Sequence, residues 1–237
     1  MHRLGFSTGA LALSDFRRAL RTLEEQPVQV VELSAVRESE LIPLLYSLGD
    51  LDLSQFSYVS IHAPSYFSPK AEAGIFEALY EIRHRGWPIV VHPDTLHDFS
   101  LWKKLGNLLC IENMDKRKRT GRTVRELELL FQEFPQASFC FDIGHARQVD
   151  TSMTEAYLML KKFSSRLRQV HISEVNAQNR HDRLSFVSTL GFQEVTHLIP
   201  SSTPVIIESI VSEDQIGAEI CRVQNALRGS VARPKAG

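Results

Sequence analysis

The sequence predicts an α/β protein of the parallel (β/α)8 class, a TIM barrel. Its 237 residues suit one barrel better than two domains. Eight short apolar runs, rich in β-branched residues, recur along the chain. Amphipathic stretches separate them, and a regular β-then-α order builds a parallel sheet with helices outside it. An open doubly wound sheet is the alternative. No Gly-rich phosphate fingerprint follows any of the runs to support it.

In order, the runs are Leu4–Ser7, Val28–Leu33, Tyr58–Ile61, Pro88–Val91, Leu108–Ile111, Ser138–Phe141, Leu167–Ile172 and Val205–Ile207. Short apolar runs with little alternation suit strands covered on both faces. Between the first two, Ser14–Glu25 places Phe16, Ala19, Leu20 and Leu23 on one helical face. Thr123 and Glu126 form a capping-box pattern that opens a helix running to about Glu133. Ser152 with Glu155, and Ser212 with Gln215, read as two further helix starts. One domain is expected over residues 1–228, with a disordered tail over 229–237.

Composition narrows the function. The formal charge of -1 gives no argument for a nucleic-acid or membrane partner. No apolar stretch is long enough to span a membrane, and MHRLGFSTGA lacks a signal-peptide layout. Cys110, Cys140 and Cys221 are too few and too scattered for a disulfide framework, and the first two sit in apolar runs as small buried thiols. A reduced, cytoplasmic protein is expected. The oligomeric state is not legible.

The chemistry sits where barrels keep it, at the C-terminal strand ends. The second run ends near Glu32, the third at His62, the fourth at His92 and the fifth at Glu112. The sixth ends at Asp142, the seventh near His171 and the eighth at Glu208. His145 follows Asp142 by three residues, and His181 lies after the seventh run. Singly, each is an ordinary polar strand end. Together, several carboxylates in one barrel mouth repel unless a counter-charge is present, and a divalent cation is the simplest one. Imidazole and carboxylate without thiolate suit zinc or manganese, with iron or cobalt as alternatives. Glu32 is the weakest member, a neighbour of the ligands or a substrate contact. His2, His84, His97 and His197 read as surface residues.

Asp115–Arg122 (DKRKRTGR) holds five Lys or Arg directly after Glu112. Most such runs are solvated faces, but this one falls on the active-site rim. Lys116, Arg117 and Arg119 are therefore candidates to hold an anionic substrate over the metals. The run is too short for a nucleic-acid track.

These segments together resemble the xylose isomerase-like barrel superfamily, which includes endonuclease IV nucleases and sugar isomerases and epimerases. The residues that carry the resemblance are Ile61-His-Ala-Pro-Ser65, Val91-His-Pro93, Ile111-Glu-Asn113, Cys140-Phe-Asp-Ile-Gly-His-Ala146, Val170-His-Ile-Ser173, Asn179-Arg-His181 and Ile207-Glu208. The resemblance implies a four-ligand core of Glu112, Asp142, His171 and Glu208. It further implies one ion on His62, His92 and Glu112, with Glu112 bridging to the core, and a third ion on His145 and His181. The nuclease pattern at that third ion is Asp-Arg-His. Asn179 offers only a neutral oxygen, so this site is expected to be the weakest. The resemblance also implies that nucleases are longer, with loops that bend DNA, so nucleic acid is not expected as a partner. The Arg that sugar epimerases carry after the seventh strand is missing from Ser173–Ala177.

The resulting expectation is a metal-dependent hydrolase of a small phosphorylated substrate. The alternative is a sugar or sugar-phosphate isomerase or epimerase in which Glu112 and Glu208 move the proton at carbon. A non-catalytic metal-binding module is the third reading.

Overall fold

The computed structural model describes residues 2–229. The first seven runs become β1 (Leu4–Ser7), β2 (Val30–Ser34), β3 (Tyr58–His62), β4 (Ile89–Val91), β5 (Leu109–Glu112), β6 (Ser138–Asp142) and β7 (Leu167–Ile172). A small antiparallel hairpin follows, β8 (Glu174–Val175) with β9 (His181–Asp182). The eighth run becomes β10 (Val205–Ile207). Apart from the hairpin, every strand pairs in parallel with its neighbours, and β10 joins β7 to β1. The result is the closed eight-stranded barrel that the sequence predicts. Beyond Gly229 the expected tail lies outside the described residues.

The helices are α1 (Thr8–Ala12), α2 (Phe16–Glu24), α3 (Glu38–Ser47), α4 (Glu72–Glu81), α5 (Phe99–Trp102), α6 (Val124–Glu133), α7 (Ile143–Val149), α8 (Thr154–Lys162), α9 (Phe186–Gln193) and α10 (Ile216–Leu227). No helix among the described residues is long and apolar enough to cross a membrane.

Helix starts differ from expectation where a carboxylate outcompetes a hydroxyl. The helical stretch expected from Ser14 begins at Phe16, because Asp15 caps α2 by accepting from the Arg18 N–H at 3.0 Å. Thr123 caps α6 as expected, but the Glu126 carboxylate reaches back to the N–H of Arg122 instead of Thr123. Ahead of α8, Asp150 accepts from the Glu155 N–H, and the helix begins at Thr154, two residues after Ser152. Ser212 opens a single 3-10 turn before α10 and turns its hydroxyl to Asp214.

The strands do alternate, in chemistry rather than in burial. Leu4, Phe6, Val31, Leu33, Val59, Ile61, Ile89, Val91, Leu109, Ile111, Phe139, Phe141, Val170, Ile172, Val205 and Ile207 join one apolar cluster with the buried residues of the helices. Burying each such side chain contributes about 1.5–3 kcal/mol. The intervening positions point into the barrel, as the period of a strand requires. Val90, Cys110 and Cys140 form a small separate cluster there. The other inward positions include Glu32, Ser60, Gln169 and the strand-end candidates, all deeply buried apart from the part-exposed His181 and Glu208. Every titratable side chain of the barrel interior thus faces the same axis.

Candidate metal centre

Glu112 stands at the middle of the site, 1% exposed at the end of β5. Its two oxygens face different pairs of imidazoles. Oε2 lies 3.2 Å from His62 Nε2 and 3.3 Å from His92 Nε2. Oε1 lies 3.3 Å from His145 Nδ1 and 3.4 Å from His171 Nδ1. Glu208 Oε1 is 3.4 Å from His171 Nδ1, and its Oε2 is 3.4 Å from His181 Nδ1.

Local structure sets these positions. Asn113 follows Glu112, donates its amide to the Asp142 carbonyl and accepts from the Asp142 N–H, both at 2.8 Å. That clamp ties the end of β5 to the end of β6. Asp142 is also the N-cap of α7: its Oδ1 accepts from the His145 N–H at 2.7 Å. The cap fixes the first turn and swings His145 inward three residues later. Gly144 in that turn lies so close to β7 that a Cβ would stand 2.4 Å from the Ser173 carbonyl oxygen. The β8–β9 hairpin carries His181, whose Nδ1 meets Ser173 Oγ at 2.8 Å.

Four groups of ligand types gather so that one atom from each member lies within 4.8 Å of the others. They are His62 with His92 and Glu112; Glu112 with Asp142, His171 and Glu208; Asp142 with His145 and His181; and Glu32 with His62, His171 and Glu208. All eight predicted ligands are therefore brought together. The third group takes its carboxylate from Asp142. Asn179, at φ 58, gives its side-chain oxygen to the Gln148 amide.

The electrostatics are those of a cluster short of positive charge. Burial pushes Glu208 up to about 8, with Glu112 and Asp142 adding to it. Burial likewise raises Asp142, aided by Glu112. Burial disfavours charge on Glu112 too, but His171, His145 and His62 outweigh it and hold its carboxyl well below the usual range. Burial opposes protonation of the imidazoles, yet the carboxylates lift His62 to about 9 and His145 to about 10. Desolvation, with the neighbouring His145 adding to it, brings His181 down to about 3 although its edge stays part-exposed.

A divalent cation fits this donor set. Buried Asp142 Oδ2 and His171 Nδ1, both turned toward the cluster, have no hydrogen-bond partner among the described residues. The second nitrogen of His62 is spoken for by the Ala63 carbonyl at 2.6 Å, which leaves Nε2 for an ion. Zinc, manganese, iron and cobalt all match imidazole with carboxylate.

Above the cluster opens a cavity of about 320 Å³. Ser7, Ser34, Ser65, Arg117 and Lys118 are among the residues that line it. Lys118 is tied to Asp94 at 2.9 Å, and Arg117 rests on the buried Asp115 at 3.4 Å. The loop is closed by the Met114 N–H on the Gly121 carbonyl, with Gly121 at φ 84. Lys116 and Arg119 are exposed and do not line the cavity. Lys118, Asp94 and Asn113 are the members that sequence reasoning missed. The first lay in plain view within the basic run, and the others depend on loop closure and strand pairing. Glu32 sits beneath the ligands, 0% exposed. His84, His97 and His197 are exposed and His2 is half-buried, none of them in the ligand groups.

A closed parallel barrel with an inward His, Asp and Glu centre at its strand ends defines the class of protein. No protein-family model matches the chain, and no curated protein matches it. Solved structures do. Endonuclease IV from Thermus thermophilus is similar at 17% identity, over 95% of this chain and 99% of that one, with a TM-score of 0.63. A xylose isomerase domain protein from Alicyclobacillus acidocaldarius is similar at 11% identity, over 96% and 98%, with a TM-score of 0.66. A protein described as a sugar phosphate isomerase/epimerase from Anabaena variabilis is similar at 14%, over 100% and 91%, with a TM-score of 0.56. At these identities the shared property is the fold, a closed (β/α)8 TIM barrel. The expectation that nucleases of this fold are longer is not met, because the chain spans nearly all of the Thermus enzyme.

Proposed function

We propose that this protein is a cytoplasmic, divalent-metal-dependent enzyme that hydrolyses a small phosphorylated substrate. The observation that carries the reading is the orientation of Glu112, whose two oxygens each address a separate imidazole pair. A carboxylate so placed suits a bridge between two ions. Bound divalent ions supply a Lewis acid for a phosphoryl group and lower the pKa of water. His62 and His92 would hold one ion with Glu112, and Asp142, His171 and Glu208 would hold a second, with His145 and His181 placed to hold a third. Lys118 and Arg117 stand on the cavity wall, where they neutralise the outer oxygens of an anionic substrate. The three cysteines are free, in keeping with a reduced compartment.

The expectation against nucleic acid finds no support, since one barrel of the same fold is an endonuclease. A DNA duplex therefore belongs in the assay. The test loads the protein with zinc or manganese and offers phosphomonoesters, phosphodiesters, a short DNA duplex, and ketose phosphates in heavy water. Metal-dependent release of phosphate or alcohol from the small esters, lost in His92→Ala and strongly reduced in Lys118→Ala, is expected. Deuterium entering the ketose with no ester cleaved replaces the hydrolase reading by isomerisation. Cleavage of DNA alone replaces the substrate class.

A further inference from the structure

Below the ligands, the barrel interior holds a column of polar side chains that the proposed reaction does not use. Glu32 is its centre, 0% exposed and outside the cavity lining, so no substrate reaches it. Its Oε1 makes no hydrogen bond among the described residues, and the whole hold on the carboxylate runs through Oε2. That oxygen accepts from Ser60 Oγ at 2.9 Å and from Gln169 Nε2 at 2.7 Å, and it faces His171 Nε2 at 3.1 Å. A carboxylate buried this deeply is costly without strong partners. His171 is the one ion-pair partner it has among the described residues.

The column also decides which ring nitrogen of His171 carries the proton. Tyr58 donates its hydroxyl to Gln169 Oε1 at 2.7 Å, which turns the amide nitrogen toward Glu32 and His171. Gln169 Nε2 stands 2.8 Å from His171 Nε2. The amide can only donate there. Left alone with Gln169, the ring would accept at Nε2 and keep its proton on Nδ1. But Nδ1 is the atom facing Glu112 and Glu208, and a protonated nitrogen cannot hold a metal ion. The Glu32 carboxylate reverses this preference, because a bond from the ring N–H to a carboxylate is charge-assisted.

We infer that Glu32 is a positioning residue for the metal centre: its Oε2 takes the Nε2–H of His171 and leaves Nδ1 bare for an ion. The inference rests on the metal reading proposed above. Ser60, Gln169 and Tyr58 hold the carboxylate in line.

The test uses the full chain and zinc alone as the probe. Glu32→Gln keeps the shape but offers an amide where the carboxylate stood. Competition against a chelator should show one zinc bound about 10- to 100-fold more weakly, with the fold intact by circular dichroism. Nitrogen-15 spectra of the His171 ring should show Nε2–H in zinc-loaded wild type and Nδ1–H in the metal-free variant. Adding Gln169→Leu to Glu32→Gln removes the competing donor and should restore part of the affinity, which a merely structural role would not do. Unchanged zinc affinity in a folded Glu32→Gln overturns the positioning role and leaves the metal reading standing. Should that variant fail to fold, an Nδ1–H tautomer in zinc-loaded wild type overturns it equally. A wild type that takes up no zinc overturns both readings.

Discussion

Glu112→Gln is the substitution with the most to say about this site. The amide has the same shape, so packing is kept and one negative charge is lost. Four imidazole nitrogens lie 3.2, 3.3, 3.3 and 3.4 Å from the carboxylate oxygens. Removing one member of a buried charged pair costs about 3–5 kcal/mol. The amide oxygen remains a neutral donor to one ion and recovers part of that. A loss near the lower end, about 3 kcal/mol, corresponds to roughly 100-fold weaker ion binding. The metal-free protein provides a second readout. His62 and His145 have an ordinary value of 6.5; burial pulls them down, but the carboxylates lift them to about 9 and about 10. A group raised on folding contributes stability that is complete below its unfolded pKa and fades as pH climbs through the folded value. Metal-free Glu112→Gln should therefore be most destabilised near pH 6 and approach wild type above about pH 10. Chelator competition with elemental analysis measures the first effect, and urea melts across pH the second. A folded variant with wild-type zinc affinity and ion count would refute the central place given to Glu112.

Substitutions at three further positions separate scaffold from chemistry. Asp142→Ala and Asp142→Asn should both lose bound metal by elemental analysis. Only Ala should also lose the α7 cap, worth about 1 kcal/mol in urea unfolding. Asn179→Asp should tighten the weakest ion, because it sets a charged oxygen in the loop that carries His181; calorimetric titration with zinc or manganese gives the affinity, and no gain means that the side chain stays with Gln148. Gly121→Ala forces a side chain into φ 84 with its Cβ 2.6 Å from Pro93 Cγ. Such strain costs about 1–3 kcal/mol. The melting temperature should fall by several degrees, and phosphoester turnover should fall with it as the Lys118 loop loosens.

The barrel was legible because its signal is repeated. β1, β7 and β10 begin and end where their apolar runs do, and the other strands differ by one or two residues. The strand ends were legible for the same reason: chain order alone carries Glu112, Asp142 and Glu208 to one mouth. What escaped depends on contacts distant in sequence. The basic run shows no hint that Lys118, and not Lys116 or Arg119, reaches the cavity, because Met114 and Gly121 close the loop and Asp94 arrives from the turn after β4. Helix starts slipped where Asp15 and Asp150 competed with nearby serines. Glu32 looked ambiguous because its partners, Ser60 and Gln169, lie 28 and 137 residues away.

The alternation of an apolar outer sleeve with a polar interior also governs how the chain finds its register. Sliding β5 by one residue would press Cys110 and Glu112 against the helices and turn Leu109 and Ile111 toward the axis. The same slip in β3 would thrust His62 into the sleeve. Each error strands a charge in oil and leaves its counterpart unpaired, so misregistered barrels carry penalties at several strands together. The side chains gathered for chemistry therefore also act as proofreaders of folding. Replacing many of them at once by apolar residues should make the strands less faithful to one another, even where it makes the interior more hydrophobic.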